Sequence, residues 1–138
     1  MNDMDIATTL NSAVTRLSRR IRRIDDRQDI GRARLSALSV LVFGGPRTIS
    51  ELAAEEMVSV ATMHHVVKGL ESLRLAGRKA SKVDRRATII HATGKGRRFM
   101  ERARQARLDF YNEKLEQLSE ADREAVARFA HLALGWLD

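Results

Sequence analysis

The chain has 138 residues, the length of one domain with a substantial buried core. It contains no cysteine, which excludes disulfide bonds, thiolate catalysis and cysteine-based redox sensing. Lys and Arg total 25 against 18 Asp and Glu, and the resulting net charge of +7 favours an anionic partner such as nucleic acid. The alternative is that this charge serves only solubility.

Several other classes of protein are disfavoured by what the sequence lacks. No segment approaches the roughly 20 apolar residues that cross a bilayer, and the first ten residues do not resemble a signal peptide, so we expect a cytoplasmic protein without a membrane partner. Four His without Cys do not supply the ligands of a structural zinc site, and we expect no metal and no cofactor. Phosphate-loop, nucleophile-elbow and zinc-protease motifs are absent, so we expect no enzymatic activity.

The first predicted element is an amphipathic helix over residues 5–26, and a second helix over 34–43 ends at Gly44-Gly45-Pro46. Apolar residues of the first helix recur at intervals of 4, 3, 4 and 3, as they do on one helical face: Leu10, Val14, Leu17, Ile21 and Ile24.

Two short helices follow, in the arrangement of a helix-turn-helix. Thr48, with Glu51 three positions later, is a capping box that starts a third helix over residues 49–56. Ser59 is a good N-cap for a fourth helix that continues to about residue 73. The fourth helix has a predicted buried stripe of Met63, Val67 and Leu70.

After the fourth helix the pattern changes to that of strands. Residues 76–82 and 87–92 are predicted strands, and the second contains the β-branched run Thr88-Ile89-Ile90. The polar connection 83–86 is predicted to be the tip of a hairpin. This hairpin would form a wing beside the helix-turn-helix.

Two long helices complete the predicted order of elements. Thr93 caps the fifth, which continues to about Leu118, and Ser119 with Asp122 opens the sixth. The apolar faces of the first helix and of these two exceed what one small lobe can cover, so we expect a homodimer. The alternative is that these helices pack only on each other within one chain.

The predicted fold is mainly α with a small β-hairpin, a winged helix-turn-helix lobe flanked by N- and C-terminal dimerisation helices. We interpret 1–138 as a single domain, with the DNA-binding lobe at 28–93 and the dimerisation helices at 1–27 and 94–138. This order of elements suits the reading of DNA, because the second helix of such a pair fits the major groove, about 12 Å wide, and the hairpin reaches the adjacent phosphates or minor groove.

The candidate base-reading residues lie on the fourth helix. His64 and His65 point about 100° apart on a helix, so they cannot bind one metal ion together. Two interpretations of them stand: contacts to DNA, or ordinary surface histidines. His91 and His131 are interpreted as structural. The N-terminal turn and the face opposite the buried stripe carry small or hydrogen-bonding side chains suited to close approach: Ser59, Val60, Ala61, Thr62, His64, His65 and Lys68.

The predicted hairpin carries the highest local density of positive charge in the chain. Residues 74–86 include six basic side chains and one acid. An arginine at such a tip can enter the minor groove, where the potential is most negative. The alternative is a solvated charged hairpin with no partner. The candidate DNA contacts of the wing are Arg78, Lys79, Lys82, Asp84, Arg85 and Arg86.

Four short motifs, in their order and spacing, resemble the MarR (multiple antibiotic resistance regulator) family. They are Glu51-Leu52-Ala53, Leu70-Glu71 at the end of the fourth helix, Asp84-Arg85-Arg86 in the wing and Thr93-Gly94-Lys95-Gly96. The wing motif begins fourteen positions after Leu70, as the family pattern expects. The resemblance extends over nearly the whole chain, since the terminal helices also match.

This resemblance implies a homodimer that binds a pseudo-palindromic operator in double-stranded DNA, with the first, fifth and sixth helices at the dimer interface. It implies that the fourth helix enters the major groove, that Arg86 enters the minor groove and that Asp84 orients Arg86. Such proteins usually repress genes and release DNA when a small, often aromatic or phenolic, ligand binds. The sequence does not identify that ligand or its site. Arg16, Arg20 and residues of the second helix are candidates for a pocket, and the simpler interpretation of the two arginines is that they are surface residues.

The chain departs from the family pattern at four positions around the fourth helix. Met57 and Arg74 stand where the pattern usually has glycine, and Val60 and Gly69 stand where it usually has a basic residue. These departures leave the fold intact, but they reduce the phosphate contacts of the helix and make the wing relatively more important.

Three other functions compete with a sequence-specific regulator. Few base-reading side chains together with the net positive charge fit a sequence-tolerant, nucleoid-type DNA-binding protein, whose affinity would fall with salt but hardly respond to sequence. An enzyme would need a deep polar pocket that holds a carboxylate–His pair with shifted pKa values. A pure protein-interaction module would not explain six basic residues on the wing.

Overall fold

The computed structural model describes residues 1–138 and contains six α-helices and one three-stranded antiparallel sheet, which confirms the predicted fold class. The helices are α1 (Asp3–Asp26), α2 (Arg32–Gly44), α3 (Ile49–Glu55), α4 (Val60–Ser72), α5 (Gly94–Glu116) and α6 (Glu120–Gly135). The strands are β1 (Arg47–Thr48), β2 (Ala76–Ala80) and β3 (Thr88–Ala92). None of the helices is both long enough and apolar enough to cross a membrane.

Side-chain caps start the helices at the predicted residues. Thr48 Oγ1 accepts a hydrogen bond from the amide of Glu51 at 3.1 Å, and Ser59 Oγ accepts one from the amide of Thr62 at 3.1 Å. Ser119 caps α6 in the same way. Each cap satisfies an amide that the helix itself leaves unpaired, so the starts of α3, α4 and α6 follow from local sequence.

The sheet contains one strand that the sequence did not predict. β1 pairs with β3, so that the strand order is β1-β3-β2. Two residues are too few for a periodic pattern, which explains why β1 was missed. β2 ends at Ala80 and not at residue 82 as predicted, because Ser81 Oγ accepts hydrogen bonds from the amides of Val83 and Asp84 and so begins the turn of the wing.

The hydrophobic core lies in a compact unit of residues 1–104, where α2, α3 and α4 pack together and against the sheet. The predicted buried stripe of α4 is confirmed, and it fixes which face of that helix remains outside. The largest fully buried side chains are Leu38, Leu41, Leu52, Met63, Val67, Leu70, Leu75, Ile90 and Met100.

Residues 105–138, the C-terminal part of α5 and all of α6, form a second compact unit. None of its residues is buried, so all of its apolar side chains keep part of their exposure in the single chain. The assignment of 28–93 to DNA binding and of the flanking segments to dimerisation stays a prediction.

The start of α5 is held tightly against the segment that follows α4. Thr93 Oγ1 accepts a hydrogen bond from the amide of Gly96 at 3.0 Å and donates one to the carbonyl of Arg74 at 2.6 Å. Gly96 is buried, and a Cβ at this position would overlap the backbone carbonyl oxygen of Leu75. Glycine is therefore required here for close packing between α5 and the backbone before β2.

We expect Gly96→Ala to lower the free energy of unfolding by about 1–3 kcal/mol, because a backbone atom cannot move aside as a flexible side chain can. The control is Gly94→Ala two residues earlier, where the nearest neighbour of a new Cβ is the movable end of Arg98, at 3.3 Å. Urea unfolding followed by circular dichroism compares the two variants. Equal stability of the two would contradict the packing role of Gly96.

Candidate nucleic-acid interface

α4 turns one continuous face to solvent, opposite its buried stripe. With about 100° between successive residues, the side chains of Ala61, His65, Lys68 and Ser72 lie within about 30° of the direction opposite the buried residues. All four are exposed. The structure thus brings three of the predicted base-reading residues into one row along the outside of the helix.

The N-terminal turn of α4 combines satisfied hydroxyl groups with open apolar surface. Ser59 Oγ donates a hydrogen bond to Thr62 Oγ1 at 2.9 Å while accepting from the Thr62 amide. Both hydroxyls are therefore engaged with each other. Val60 retains 44% of its exposure, and Ala61 beside it is exposed.

The turn that aims α4 passes through a residue in the left-handed backbone region. Met57 has φ 57° and is 91% exposed, and Arg74, just after α4, has φ 62°. These are the two positions where the family pattern usually has glycine. Because a side chain in this region costs about 1–2 kcal/mol, the chain keeps the backbone conformation of a glycine turn without the glycine.

One flank of α4 is joined to the root of the wing. Arg78 Nε donates a hydrogen bond to Glu71 Oε1 at 2.8 Å, and each side chain keeps about a third of its exposure. His64 and Arg78 line a cleft of about 350 Å³ together with Thr88 and the start of α3. Arg78, predicted as a wing contact, therefore also positions the wing against α4, and His64 faces this cleft while His65 lies on the outer row.

The opposite flank of α4 contacts α2 through a glycine. The guanidinium group of Arg34 lies against Gly69, and a Cβ at this position would overlap its Nε and Cζ atoms. Gly69 stands where the family pattern usually has a basic residue, and Arg34 brings a positive charge to the same place from a different helix. Arg34 is not among the residues predicted from the sequence, although a glycine inside a helix often marks a close neighbour.

The tip of the wing leaves its charged side chains in solvent: Lys79, Lys82, Asp84, Arg85 and Arg86 are all exposed. Asp84 Oδ1 accepts a hydrogen bond from the backbone amide of Arg86 at 3.0 Å. The predicted link between Asp84 and Arg86 is thus made at the backbone. Asp84 shapes the turn that carries Arg86, while the guanidinium group remains available to a partner.

The remaining histidines lie apart from α4. The ring of His91 packs over Gly77 across the sheet, and its Nδ1 lies 3.2 Å from the carbonyl of Ala92. His131 is exposed on α6. No cluster of three or more His, Asp and Glu side chains could hold a metal ion.

Both α1 and α6 present large apolar side chains to solvent. Phe129 and Trp136 on α6 form an edge-to-face pair with ring centroids 6.1 Å apart. Apolar surface of this extent is typical of an association site. The exposed apolar residues are Met4, Ile6, Val14 and Leu17 on α1, and Val126, Phe129, Leu132, Leu134 and Trp136 on or just after α6.

No model of a known protein family matches the sequence. An uncharacterized HTH-type transcriptional regulator of Mycobacterium bovis is 29% identical over 137 residues, which cover 99% of this chain and 96% of that protein. A MarR family protein from Bacillus stearothermophilus has the same fold, with a TM-score of 0.82, 22% identity and coverage of 99% of this chain and 98% of that one.

A solved structure of a mutant of MepR from Staphylococcus aureus, bound to an oligodeoxyribonucleotide, also matches. Its TM-score is 0.72 at 18% identity, and the match covers 96% of this chain and 98% of that one. The solved structures establish the fold from end to end, and the resemblance to the MarR family found in the sequence is confirmed.

At position 57 we expect glycine to be more stabilising than alanine by about 1 kcal/mol, because only glycine adopts a positive φ without a steric cost. The control is position 68 in the middle of α4, where alanine should be the more stabilising of the two by about 1 kcal/mol. Thermal unfolding of Met57→Gly, Met57→Ala, Lys68→Gly and Lys68→Ala gives both differences. The same order at the two positions would show that the turn does not require a left-handed residue.

Proposed function

We propose that this chain, which has the fold of MarR-family regulators, is a sequence-specific DNA-binding transcription regulator that acts as a homodimer. The observation that carries the proposal is the placement of the open face of α4 and a cationic wing on the same lobe. A helix of this kind fits the major groove, and a basic hairpin beside it can contact the adjacent phosphates or minor groove.

Phosphate binding would come mainly from the wing. Arg78 at the root of the wing is paired with Glu71. The other exposed lysines and arginines have Asp84 as the acid within the wing, and its carboxylate is engaged with the backbone. Lys68 on the outer row of α4 and Arg34 on its flank add positive charge beside the helix. We assign the minor-groove contact to Arg86, because the turn built on Asp84 leaves its guanidinium group in solvent.

The homodimer is supported by the apolar surfaces that the single chain leaves open on α1 and α6. We propose that these helices, with α5, form the interface between two copies. A two-fold dimer would present two α4 helices to successive turns of the duplex. The operator would then be a pseudo-palindrome with half-sites about 10 base pairs apart.

We further propose that the protein represses its target genes and that a small aromatic or phenolic ligand releases it from DNA. The family resemblance supports this part of the proposal. A panel of phenolic acids added to the purified protein–operator complex tests it, and a compound that dissociates the complex at concentrations that do not unfold the protein is the expected result.

A sequence-tolerant, nucleoid-type DNA-binding protein is the second candidate. The exposed side chains of α4 favour it, since Lys68 is the only one among them of a type that makes paired hydrogen bonds to a base. The two candidates differ in their response to sequence at constant salt.

Selection of bound fragments from genomic DNA tests the two candidates together. A regulator should enrich a pseudo-palindromic sequence and bind it about 10³-fold or more tightly than a scrambled duplex at physiological salt. Equal affinity for the selected and scrambled duplexes, with a steep fall as salt rises, would favour the nucleoid-type protein.

We expect Arg86→Ala to weaken operator binding by about tenfold or more, because one good contact of an arginine with DNA contributes about 1–3 kcal/mol. Arg128→Ala removes the same charge from α6 and serves as the matched control. Titration by fluorescence anisotropy at several salt concentrations measures both. Similar losses in the two variants would contradict the assignment of Arg86 to the minor groove.

We expect Leu132→Glu to convert the dimer to a monomer, because a charge in an apolar interface must be desolvated without a partner. Sedimentation equilibrium should give twice the 15.6 kDa chain mass for the original protein and for Arg128→Ala, and a single chain mass for Leu132→Glu. Circular dichroism checks that the variant is folded. A dimeric Leu132→Glu, or a monomeric original protein, would refute the proposed interface.

A further inference from the structure

We infer that the apolar side chains in the first turn of α4, Val60 and Ala61, recognise thymine through its C5 methyl group. This inference rests on the proposed DNA-binding function and names the base that the helix discriminates best. Three observations support it: the hydrogen-bonding side chains that α4 lacks, the apolar side chains that its first turn exposes, and the methyl group that thymine presents in the major groove.

α4 lacks most of the side chains that read bases by hydrogen bonding. Arginine recognises guanine and Asn or Gln recognises adenine through paired hydrogen bonds, while a carboxylate can accept one from cytosine. The segment 59–72 contains no Arg, Asn, Gln or Asp. Its one carboxylate, Glu71, is engaged with Arg78 at the root of the wing. Lysine can also bond guanine in this way, but the one lysine, Lys68, lies about two turns beyond the start of the helix. The first turn of α4 therefore has no side chain for bidentate reading of a base.

The N-terminal turn of α4 is the part of the helix that lies nearest to base edges in helix-turn-helix complexes. The Ser59 hydroxyl donates a hydrogen bond to Thr62 Oγ1 and accepts one from the Thr62 amide, so it is engaged on both sides. The open aliphatic side chains of this turn are those of Ala61, on the outer row, and of Val60, which is 44% exposed on the flank nearer the wing.

The apolar surface of this turn matches one of the four bases. The thymine C5 methyl is the apolar group that the base edges present in the major groove. A short side chain such as that of Ala61 lets the helix approach this methyl group closely. A polar base edge at the same place would lose water without gaining a hydrogen bond, which is unfavourable. Thymine is the base for which the contact is favourable.

The test uses the duplex obtained by selection, with each thymine replaced in turn by uracil, which lacks only the C5 methyl. Burial of one methyl group corresponds to about a fourfold change in affinity. We expect replacement of one or two thymines in each half-site to weaken binding by about this factor, and replacement of the others to leave it unchanged.

A second measurement needs no protein variant. The sensitive thymine–adenine pair is replaced by a cytosine–guanine pair or by a 5-methylcytosine–guanine pair. We expect the methylated duplex to bind about fourfold more tightly than the unmethylated one, because the same methyl group returns to the same place in the groove.

Protein variants then assign the contact to α4. Val60→Ala or Ala61→Ser should reduce the difference between thymine and uracil, while Val83→Ala should preserve it. Val83 is the matched control, since it is also an exposed valine but lies in the wing, where it is 99% exposed.

Three results would overturn the inference: equal binding of every uracil duplex and its thymine parent, no effect of cytosine methylation, or a thymine–uracil difference that Val60→Ala and Ala61→Ser both leave unchanged. Each would leave the proposed regulator intact, because the protein would still prefer its selected sequence. If selection yields no preferred sequence, it is the proposed function that fails.

Discussion

The burial of one stripe of α4 is the constraint on which the rest of the interface depends. Met63, Val67 and Leu70 are fully buried, so the helix has no freedom to rotate about its own axis without exposing them. The row of side chains opposite the stripe is thereby held in solvent. One flank of the helix, at Glu71, contacts the root of the wing, and the other, at Gly69, contacts α2. The direction of every exposed side chain of α4 is set by this packing.

Features that depend on residues close together in the sequence could be predicted from it. Features that depend on contacts between residues far apart in the sequence could not. The caps at Thr48 and Ser59 and the stripe of α4 depend on residues a few positions apart, and they lie where the sequence predicted. The pair Arg78–Glu71 and the contact of Arg34 with Gly69 depend on how elements pack. A glycine inside α4 signals a close neighbour, but only the fold identifies that neighbour as Arg34.

The departures from the family pattern affect backbone and chemistry differently. Met57 and Arg74 adopt the positive φ that glycine adopts most readily, at a small energetic cost. Val60 and Gly69 leave α4 poorer in charge, and the guanidinium group of Arg34 restores one charge beside the helix. The fold thus accommodates different side chains on the exposed part of α4 while its buried stripe is kept.

The hydrogen bonds at the start of α5 have a mechanical consequence. Thr93 bonds to the carbonyls of Arg74 and Leu75, and Lys95 Nζ bonds to that of Leu73 at 3.0 Å. Gly96 packs directly against the backbone of Leu75, so the start of α5 and the segment after α4 are in close contact. The acceptors Leu73, Arg74 and Leu75 follow directly on α4. A change in the direction of the first turn of α5 would therefore have to break these bonds or move the end of α4 with it.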